Sequence, residues 1–164
     1  MVFFKTGRET AGELMEADLF VQPGNTPPPK HIHPLQEEQF KVIDGSLTVW
    51  IPGREIVLGP GDQYAVAKGT VHTWHNAGES EARVRVEVRP AGRFDEGLEA
   101  LYAMIQNGNR NPLQFAVTMW SFRNEGTFPF PMNFLLAALA AFGRFLGYSP
   151  DYPYPYERAL TRPQ

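Results

Sequence analysis

The chain has no cysteine among its 164 residues. Disulfides, thiolate metal sites and a cysteine nucleophile are therefore excluded. Positive charge is not in excess either, since 15 Lys and Arg residues stand against 18 Asp and Glu residues and give a formal net charge of -3. Nucleic-acid-binding proteins usually carry a basic face, so we predict that nucleic acid is not a partner of this protein.

Long apolar runs are scarce as well. Residues 1–16 contain no apolar segment long enough for a signal peptide. Residues 132–147 are nearly all apolar, with Asn133 and Arg144 as the polar exceptions, but a bilayer span needs about 20 apolar residues. We therefore predict a cytoplasmic protein without a membrane span, in which this run is buried against the barrel or a second subunit.

Glycine and proline turns divide the chain from about residue 13 to residue 90 into short predicted strands. Residues 82–89 alternate valine with charged side chains, which is typical of a strand with one buried face. Residues 37–43 alternate in the same way, and Asp44–Gly45 predicts a hairpin that returns along the next strand. Pro52–Gly53 predicts another turn. Many short strands with closely spaced turns indicate an antiparallel barrel or sandwich.

After residue 90 the period of the apolar residues changes to that of a helix. Asp95 is the expected N-cap of a first helix and Gly108 closes it. Asn111–Pro112 predicts the start of a second helix, because proline is favoured at the first helical position. The run from residue 132 to residue 147 predicts a third helix.

This change of period divides the chain into two predicted parts. Residues 1–92 form a β-domain, and residues 93–164 form a helical extension that packs on the barrel or on a dimer partner. Within the extension, the aromatic-rich residues 148–160 are expected to be extended and to lie on a surface.

All four histidines lie within one stretch of 45 residues, residues 31–75. His31 and His33 are two apart, so on a strand they point to the same side and can both reach one ion. His72 and His75 are three apart and point to opposite sides, so at most one of them joins that pair. Imidazoles together with a carboxylate suit Fe, Mn, Ni, Cu or Zn. The pair alone is explained as well by solvated strand histidines as by a metal site.

A first motif around these residues resembles a motif of the cupin superfamily, G-x5-H-x-H-x(3,4)-E-x6-G. This chain has His31-Ile32-His33, four residues, Glu38, six residues and Gly45. Its leading glycine, Gly24, stands six rather than five residues before the first histidine. The departure falls at a turn and not at a ligand position.

A second motif of the same superfamily is G-x5-P-x-G-x2-H-x3-N. It is similar to the stretch from Gly61 through Gly69 and His72 to Asn76, in which Ala67 replaces the motif's proline. Together the two motifs cover roughly residues 20–80. The resemblance implies a fold that is mainly β, a double-stranded β-helix or jelly-roll barrel followed by C-terminal α-helices, and it implies a homodimer.

The resemblance also implies a site for one divalent metal ion, which could be Fe(II), Mn, Ni, Cu or Zn. The motif positions of the ligands correspond to His31, His33, Glu38 and His72. Of the two adjacent glutamates, Glu38 has the motif's spacing to Gly45 and shares a strand face with Phe40 and Val42. Glu37 points to the other face.

Three histidines and one carboxylate leave positions open on the ion, where water, substrate or dioxygen can bind. Glu38 is a candidate proton acceptor and Tyr64 a weaker candidate donor, and both are predicted as catalytic residues. Parity along the strands predicts a mostly apolar pocket for a hydrophobic or aromatic molecule. Its predicted walls are Phe40, Val42, Leu47, Val49, Tyr64, Trp74 and Asn76.

We therefore expect a metal-dependent enzyme that acts on a small apolar or aromatic molecule, most simply a dioxygenase or another oxidoreductase. Two alternatives stay open. One is a non-oxidative isomerase, cyclase or lyase that uses the same ion, and the other is a cupin that binds a small molecule without turnover. The resemblance does not decide between them, because cupins host many unrelated reactions.

Overall fold

A computed structural model of the protein describes residues 1–150, which form eight strands followed by three helices. Most of the expected surface segment, residues 148–160, lies outside the described residues. The helices are α1 (Phe94–Gln106), α2 (Pro112–Ser121) and α3 (Met132–Phe145). The strands are β1 (Val2–Lys5), β2 (Met15–Val21), β3 (Glu37–Asp44), β4 (Leu47–Ile51), β5 (Arg54–Leu58), β6 (Gln63–Val66), β7 (Thr73–His75) and β8 (Ala82–Arg89).

The strands form two antiparallel sheets. One has five strands in the order β1-β2-β8-β3-β6, and the other has three strands in the order β5-β4-β7. Side chains from both sheets meet in one hydrophobic cluster, which contains Val84, Val86 and Val88 of β8 as the alternation predicts. The mainly β architecture with C-terminal helices is therefore confirmed. Strand β1 was not expected, because the predicted strands begin only near residue 13.

The predicted hairpin at Asp44–Gly45 is wrong, because β3 and β4 do not pair with each other. Strand β3 pairs with β6 and β8, whereas β4 pairs with β5 and β7. Gly45, at φ +74°, carries the chain from one sheet to the other, and a Cβ on it would lie 2.7 Å from the Cα of Ala82. The turn at Pro52–Gly53 does close a hairpin, with Ile51 opposite Arg54.

The helix starts are confirmed in one case and corrected in another. Asn111 is the N-cap of α2, where its side chain accepts hydrogen bonds from the amides of Leu113 and Gln114. Asp95 is not the N-cap of α1, because that position belongs to Arg93, which makes no side-chain capping bond. Asp95 lies buried in the first turn, and its Oδ1 accepts a hydrogen bond of 3.0 Å from the amide of Gly7.

Residues 132–147 were expected to be buried against the barrel or a second subunit, and the barrel is not the partner within the described residues, whereas a second subunit stays a prediction. The buried side of α3, formed by Leu136, Ala140 and Gly143, packs on α2 in a cluster separate from the barrel core. The approach is close, since a Cβ on Gly143 would lie 2.7 Å from Cγ2 of Val117. Within residues 1–150, every helix is too short or too polar to cross a bilayer.

Candidate metal centre

The four predicted ligands come from three separate pieces of the chain. His31 and His33 precede β3, Glu38 lies on β3, and His72 directly precedes β7. His31 and His72 form an antiparallel bridge, in which the amide of each donates to the carbonyl of the other at 3.0 Å and 2.9 Å. The bridge extends the three-stranded sheet beyond β7 and places these two side chains next to each other.

The side chains of the four residues converge. One ligand atom from each residue lies within 4.8 Å of the others, and the three imidazole centroids are 4.3 to 5.1 Å apart. Oε2 of Glu38 lies 2.9 Å from Nε2 of His72 and 3.3 Å from Nε2 of His33. The neighbouring Glu37 is exposed, as expected from its position on the other strand face.

Each imidazole is oriented by a backbone carbonyl. Nδ1 lies 2.8 Å from the carbonyl oxygen of Pro29 for His31, 2.6 Å from that of Glu125 for His33, and 3.0 Å from that of Thr70 for His72. A carbonyl oxygen can only accept a hydrogen bond, so each Nδ1 carries the hydrogen. In the neutral rings, the lone pair is therefore on Nε2, the arrangement that metal-bound histidines commonly have.

Burial and charge act against each other in this cluster. Burial alone would raise the pKa of Glu38, but the positive charge that His33 and His72 carry when protonated, with Nε2 of His72 then donating to the carboxylate, holds it well below its usual range. Burial lowers the pKa of His31 to about 4, and the two other histidines lower it further. For His33, burial lowers the pKa, but the Glu38 carboxylate and the Glu125 carbonyl outweigh it and raise the value. The buried carboxylate is thus held as an anion among imidazoles.

The residues fit a divalent metal ion. Nε2 of His33 is buried, and although it lies near Glu38 it has no hydrogen-bond partner. An orphaned buried nitrogen is costly, and a cation bound to its lone pair would remove that cost. Glu38, His33 and His72 are buried whereas His31 is half-buried, so solvent reaches the cluster on the side of His31.

The helical extension contributes to the site in a way that the sequence did not predict. Thr127 pairs with Ile32 through two backbone hydrogen bonds of 2.8 Å and 2.9 Å, which brings the carbonyl of Glu125 to His33. The ring of Phe94 lies edge-on to the imidazole of His33, with the centroids 5.0 Å apart. A backbone carbonyl carries no signal in the sequence, because any residue type supplies one. The division of the chain at residue 92 stays a prediction.

The predicted pocket walls occupy different environments. Phe40, Val42, Leu47 and Val49 are fully buried in the barrel core, and Tyr64 and Trp74 are partly buried against it. The amide nitrogen of Asn76 donates to the carbonyls of Val21 and Ser80, and its oxygen accepts from Gly78, so this side chain holds a turn. The hydroxyl of Tyr64 accepts a hydrogen bond of 3.2 Å from Arg54. Pocket and catalytic roles for these residues stay predictions.

A groove of about 520 Å³ lies beside the cluster, between α2, α3 and the segments 29–30 and 128–132. Its lining is apolar except for Lys30, whose Nζ lies 3.4 Å from the centroid of the Trp50 ring. Pro29 lines the groove, and its carbonyl accepts the hydrogen bond from His31. The groove therefore begins one or two residues from a candidate ligand. The sequence did not predict it, because the extension supplies most of its walls.

Two antiparallel sheets that share one core, with three histidines and a glutamate that converge, define a β-barrel protein with a candidate metal site. Residues 18–88 match the family model of the cupin domain. These residues, fewer than half of the chain, form a cupin domain.

Similar proteins include an oxidoreductase of Arthrobotrys oligospora, 44% identical over 59 residues, which are 35% of this chain and 23% of that protein. Quercetin 2,3-dioxygenase of Bacillus subtilis is 41% identical over 44 residues, 27% of this chain and 13% of that enzyme. This chain thus spans less than a quarter of either relative. A solved structure from Klebsiella pneumoniae with a double-stranded β-helix domain is 23% identical to this chain. The match covers 49% of this chain and 70% of the Klebsiella chain, with a TM-score of 0.45.

Proposed function

We propose that the protein is a metal-dependent cupin enzyme that acts on a small apolar or aromatic molecule as a dioxygenase or a related oxidoreductase. The observation that carries this proposal is the convergence of three imidazoles and one carboxylate within 4.8 Å. The matches to an oxidoreductase and to a dioxygenase support it, although each covers only a short part of the relative.

In this proposal His31, His33, Glu38 and His72 hold one divalent ion. Such an ion would supply Lewis acidity and, if it is redox-active, one-electron chemistry. The carbonyls of Pro29, Thr70 and Glu125 keep the three Nε2 atoms aimed at one point. This preorganisation raises the affinity for the ion, because the rings need no reorientation when it binds.

The other residues of the proposal bind the organic molecule and move protons. The apolar groove beside Pro29 would hold the hydrocarbon part of the substrate and exclude water, since its volume is within the range of small-molecule sites. Glu38 would accept a proton from the substrate at a carboxylate oxygen. Tyr64 is the candidate donor, with its hydroxyl positioned by Arg54.

The metal site is tested by elemental analysis of protein purified without added metal. We expect about one transition-metal ion per chain in the wild type. His72→Ala should weaken binding by more than about 100-fold, because even residues that only orient a ligand contribute 10- to 100-fold. His75→Ala is the matched control, since His75 lies outside the cluster and should retain the ion. Full occupancy in His72→Ala would refute the ligand assignment.

The reaction is tested separately, with the metal-loaded protein and a set of aromatic substrates. Substrate-dependent uptake of dioxygen supports the proposal. Conversion of a substrate under nitrogen, without uptake, would instead identify a non-oxidative isomerase, cyclase or lyase. Stoichiometric binding without conversion in either atmosphere would identify a small-molecule-binding cupin.

A further inference from the structure

One region of the molecule exposes a dense group of large hydrophobic side chains. Seven of the thirteen exposed large hydrophobic residues within the described part of the chain lie between residues 130 and 146. Phe145 is 84% exposed and Phe134 is 71% exposed. The seven residues are Phe130, Met132, Phe134, Leu135, Phe142, Phe145 and Leu146.

The area of this patch is that of a protein interface. If a whole aromatic side chain has about 150–250 Å², the exposed parts of the seven residues amount to roughly 800 Å². The largest apolar patch of a monomeric protein is usually about 300–600 Å². One side of a standard interface buries about 800 Å².

The exposed residues of α3 have the spacing of a helix-packing seam. Leu135, Ala138, Phe142 and Phe145, which we call the α3 seam, follow one another at intervals of three, four and three residues. This is the spacing of core positions in a coiled coil. All four are exposed, whereas Leu136, Ala140 and Gly143 face α2. The seam therefore lies on a side of α3 that the described chain leaves uncovered.

The seam is complementary to itself when two copies of α3 run antiparallel. A two-fold axis beside residue 140 places Leu135 opposite the partner's Phe145 and Ala138 opposite the partner's Phe142. Ala138, the smallest side chain of the seam, thus meets the ring of the partner's Phe142, and the two-fold axis repeats each contact. A closed homodimer requires this self-complementarity from one surface patch.

The charge of α3 distinguishes between two kinds of partner. Arg144 is the one charged residue among the fourteen of the helix. In the antiparallel pair, the two Arg144 residues are about 12 Å apart along the axis, from a rise of about 1.5 Å per residue, so they do not oppose each other. A helix that lies on a membrane surface is typically rich in Lys and Arg on its polar face, which α3 is not.

We propose that the α3 seam joins two copies of this chain as an antiparallel helix pair. The interface is formed by the helical extension and leaves the metal cluster outside it. Leu135 belongs both to the seam and to the groove lining, whereas Phe142 and Phe145 do not line the groove. Substitutions at these two phenylalanines therefore test the interface without altering the groove.

The first experiment is sedimentation of the full-length chain at about 1 to 100 µM, a range in which a dimer with a dissociation constant below about 1 µM stays largely associated and a roughly 30-fold weaker one dissociates. The wild type should sediment as a dimer. Phe142→Glu and Phe145→Glu should each weaken the dimer by about 30-fold or more, as losses at interface hot spots do. The control is Val57→Glu, because Val57 is 70% exposed on β5 and should leave the dimer unchanged. Matching circular dichroism spectra establish that the variants fold.

The second experiment tests the antiparallel register by disulfide cross-linking, which the absence of native cysteine makes unambiguous. A mixture of Ala138→Cys and Phe142→Cys chains should form a covalent dimer, whereas neither variant alone should, because identical positions are offset along the axis. Cross-linking of Ala138→Cys alone, or a wild-type monomer throughout the concentration range, would overturn the proposal. So would a monomer that binds to phosphatidylglycerol vesicles through Phe142 and Phe145.

Discussion

The barrel and the helical hairpin of α2 and α3 use apolar residues in opposite ways. In β8, apolar and charged residues alternate, and each valine is buried in the barrel core. Helix α3 is apolar on nearly all sides, yet three of its fourteen residues are buried. An alternating strand specifies which face is covered, whereas a helix that is apolar all round does not specify what covers it.

The two regions are nevertheless joined at the candidate metal centre. The carbonyl of Glu125 orients His33, and Thr127 extends the sheet edge beside Ile32. Changes in the barrel should therefore affect the ligand geometry directly, and changes in the hairpin should affect it through this short connection. Single substitutions in the barrel and in the hairpin separate the contributions of the two regions to stability, and the largest loss is expected in the barrel.

Gly45→Ala should lower the free energy of unfolding by about 2–5 kcal/mol. The positive φ disfavours any side chain by roughly 1–2 kcal/mol, and overpacking adds about 1–3 kcal/mol, since the new Cβ would lie 2.7 Å from backbone atoms of Glu81 and Ala82. Gly53→Ala is the matched control, with φ +85° and no atom within 4 Å of its Cβ position. Urea denaturation compares the two variants. If both variants lose the same free energy of unfolding, the contact between position 45 and the backbone of Glu81 and Ala82 does not contribute to the loss.

The failed hairpin prediction at this glycine shows what the sequence determines and what it does not. Asp44–Gly45 specifies a local backbone turn, and the turn is present, with Gly45 at positive φ. The partner strand of β4 depends on contacts far along the chain, with β5 and β7. Local turn chemistry therefore located the break between strands but did not predict the crossing between sheets.

The candidate metal site was more predictable than the topology around it. His31 and His33 share a strand side and the motif spacing pointed to Glu38 and His72, and the structure brings all four together. The carbonyl of Glu125 could not be predicted, because a hydrogen bond between positions 92 residues apart depends on the fold and not on residue type. The groove was missed for the same reason, since it forms between three separate segments.

Asp18→Asn should lower the free energy of unfolding by about 1–3 kcal/mol. Asp18 on β2 is 1% exposed, and Arg83 and Arg85 of β8 bind its two carboxylate oxygens, both at 2.5 Å. The lower part of the range applies, because both arginines are partly exposed and water can solvate them once the carboxylate is gone. Thermal unfolding at pH 7 measures the effect. Glu87→Gln, on the solvent side of β8, should lower the free energy of unfolding by less than Asp18→Asn does.

The same pair predicts a pH dependence. Burial alone would raise the pKa of Asp18, but Arg85 and Arg83 outweigh it and hold the pKa below its ordinary value of 3.8. An acid whose pKa is lower in the folded state stabilises the fold above the unfolded pKa and loses that contribution as pH falls through the folded value. The difference in stability between wild type and Asp18→Asn should therefore persist at pH 5 and shrink below about pH 4. A difference that does not change with pH would contradict this assignment.

Asn111→Ala, in the helical hairpin, should have the smallest effect, about 1 kcal/mol, which is typical of a lost N-cap. Asn111 accepts hydrogen bonds from the amides of Leu113 and Gln114, and its Nδ2 donates to the hydroxyl of Tyr148 at 2.9 Å. Asn111→Asp is the matched variant, because it keeps the cap acceptor, removes the donor to Tyr148 and adds a negative charge, which the N-terminus of a helix favours.

Hydrogen exchange measured along the chain shows where this loss falls. Since α2 and α3 pack in a cluster separate from the barrel core, Asn111→Ala should accelerate exchange in these two helices while β3 and β8 keep their protection. Asn111→Asp should give a smaller acceleration in the same helices. Equal acceleration of exchange in the hairpin and in the barrel would mean that the two regions unfold as one cooperative unit. The hairpin would then stabilise the metal centre through further contacts besides those of Glu125 and Thr127.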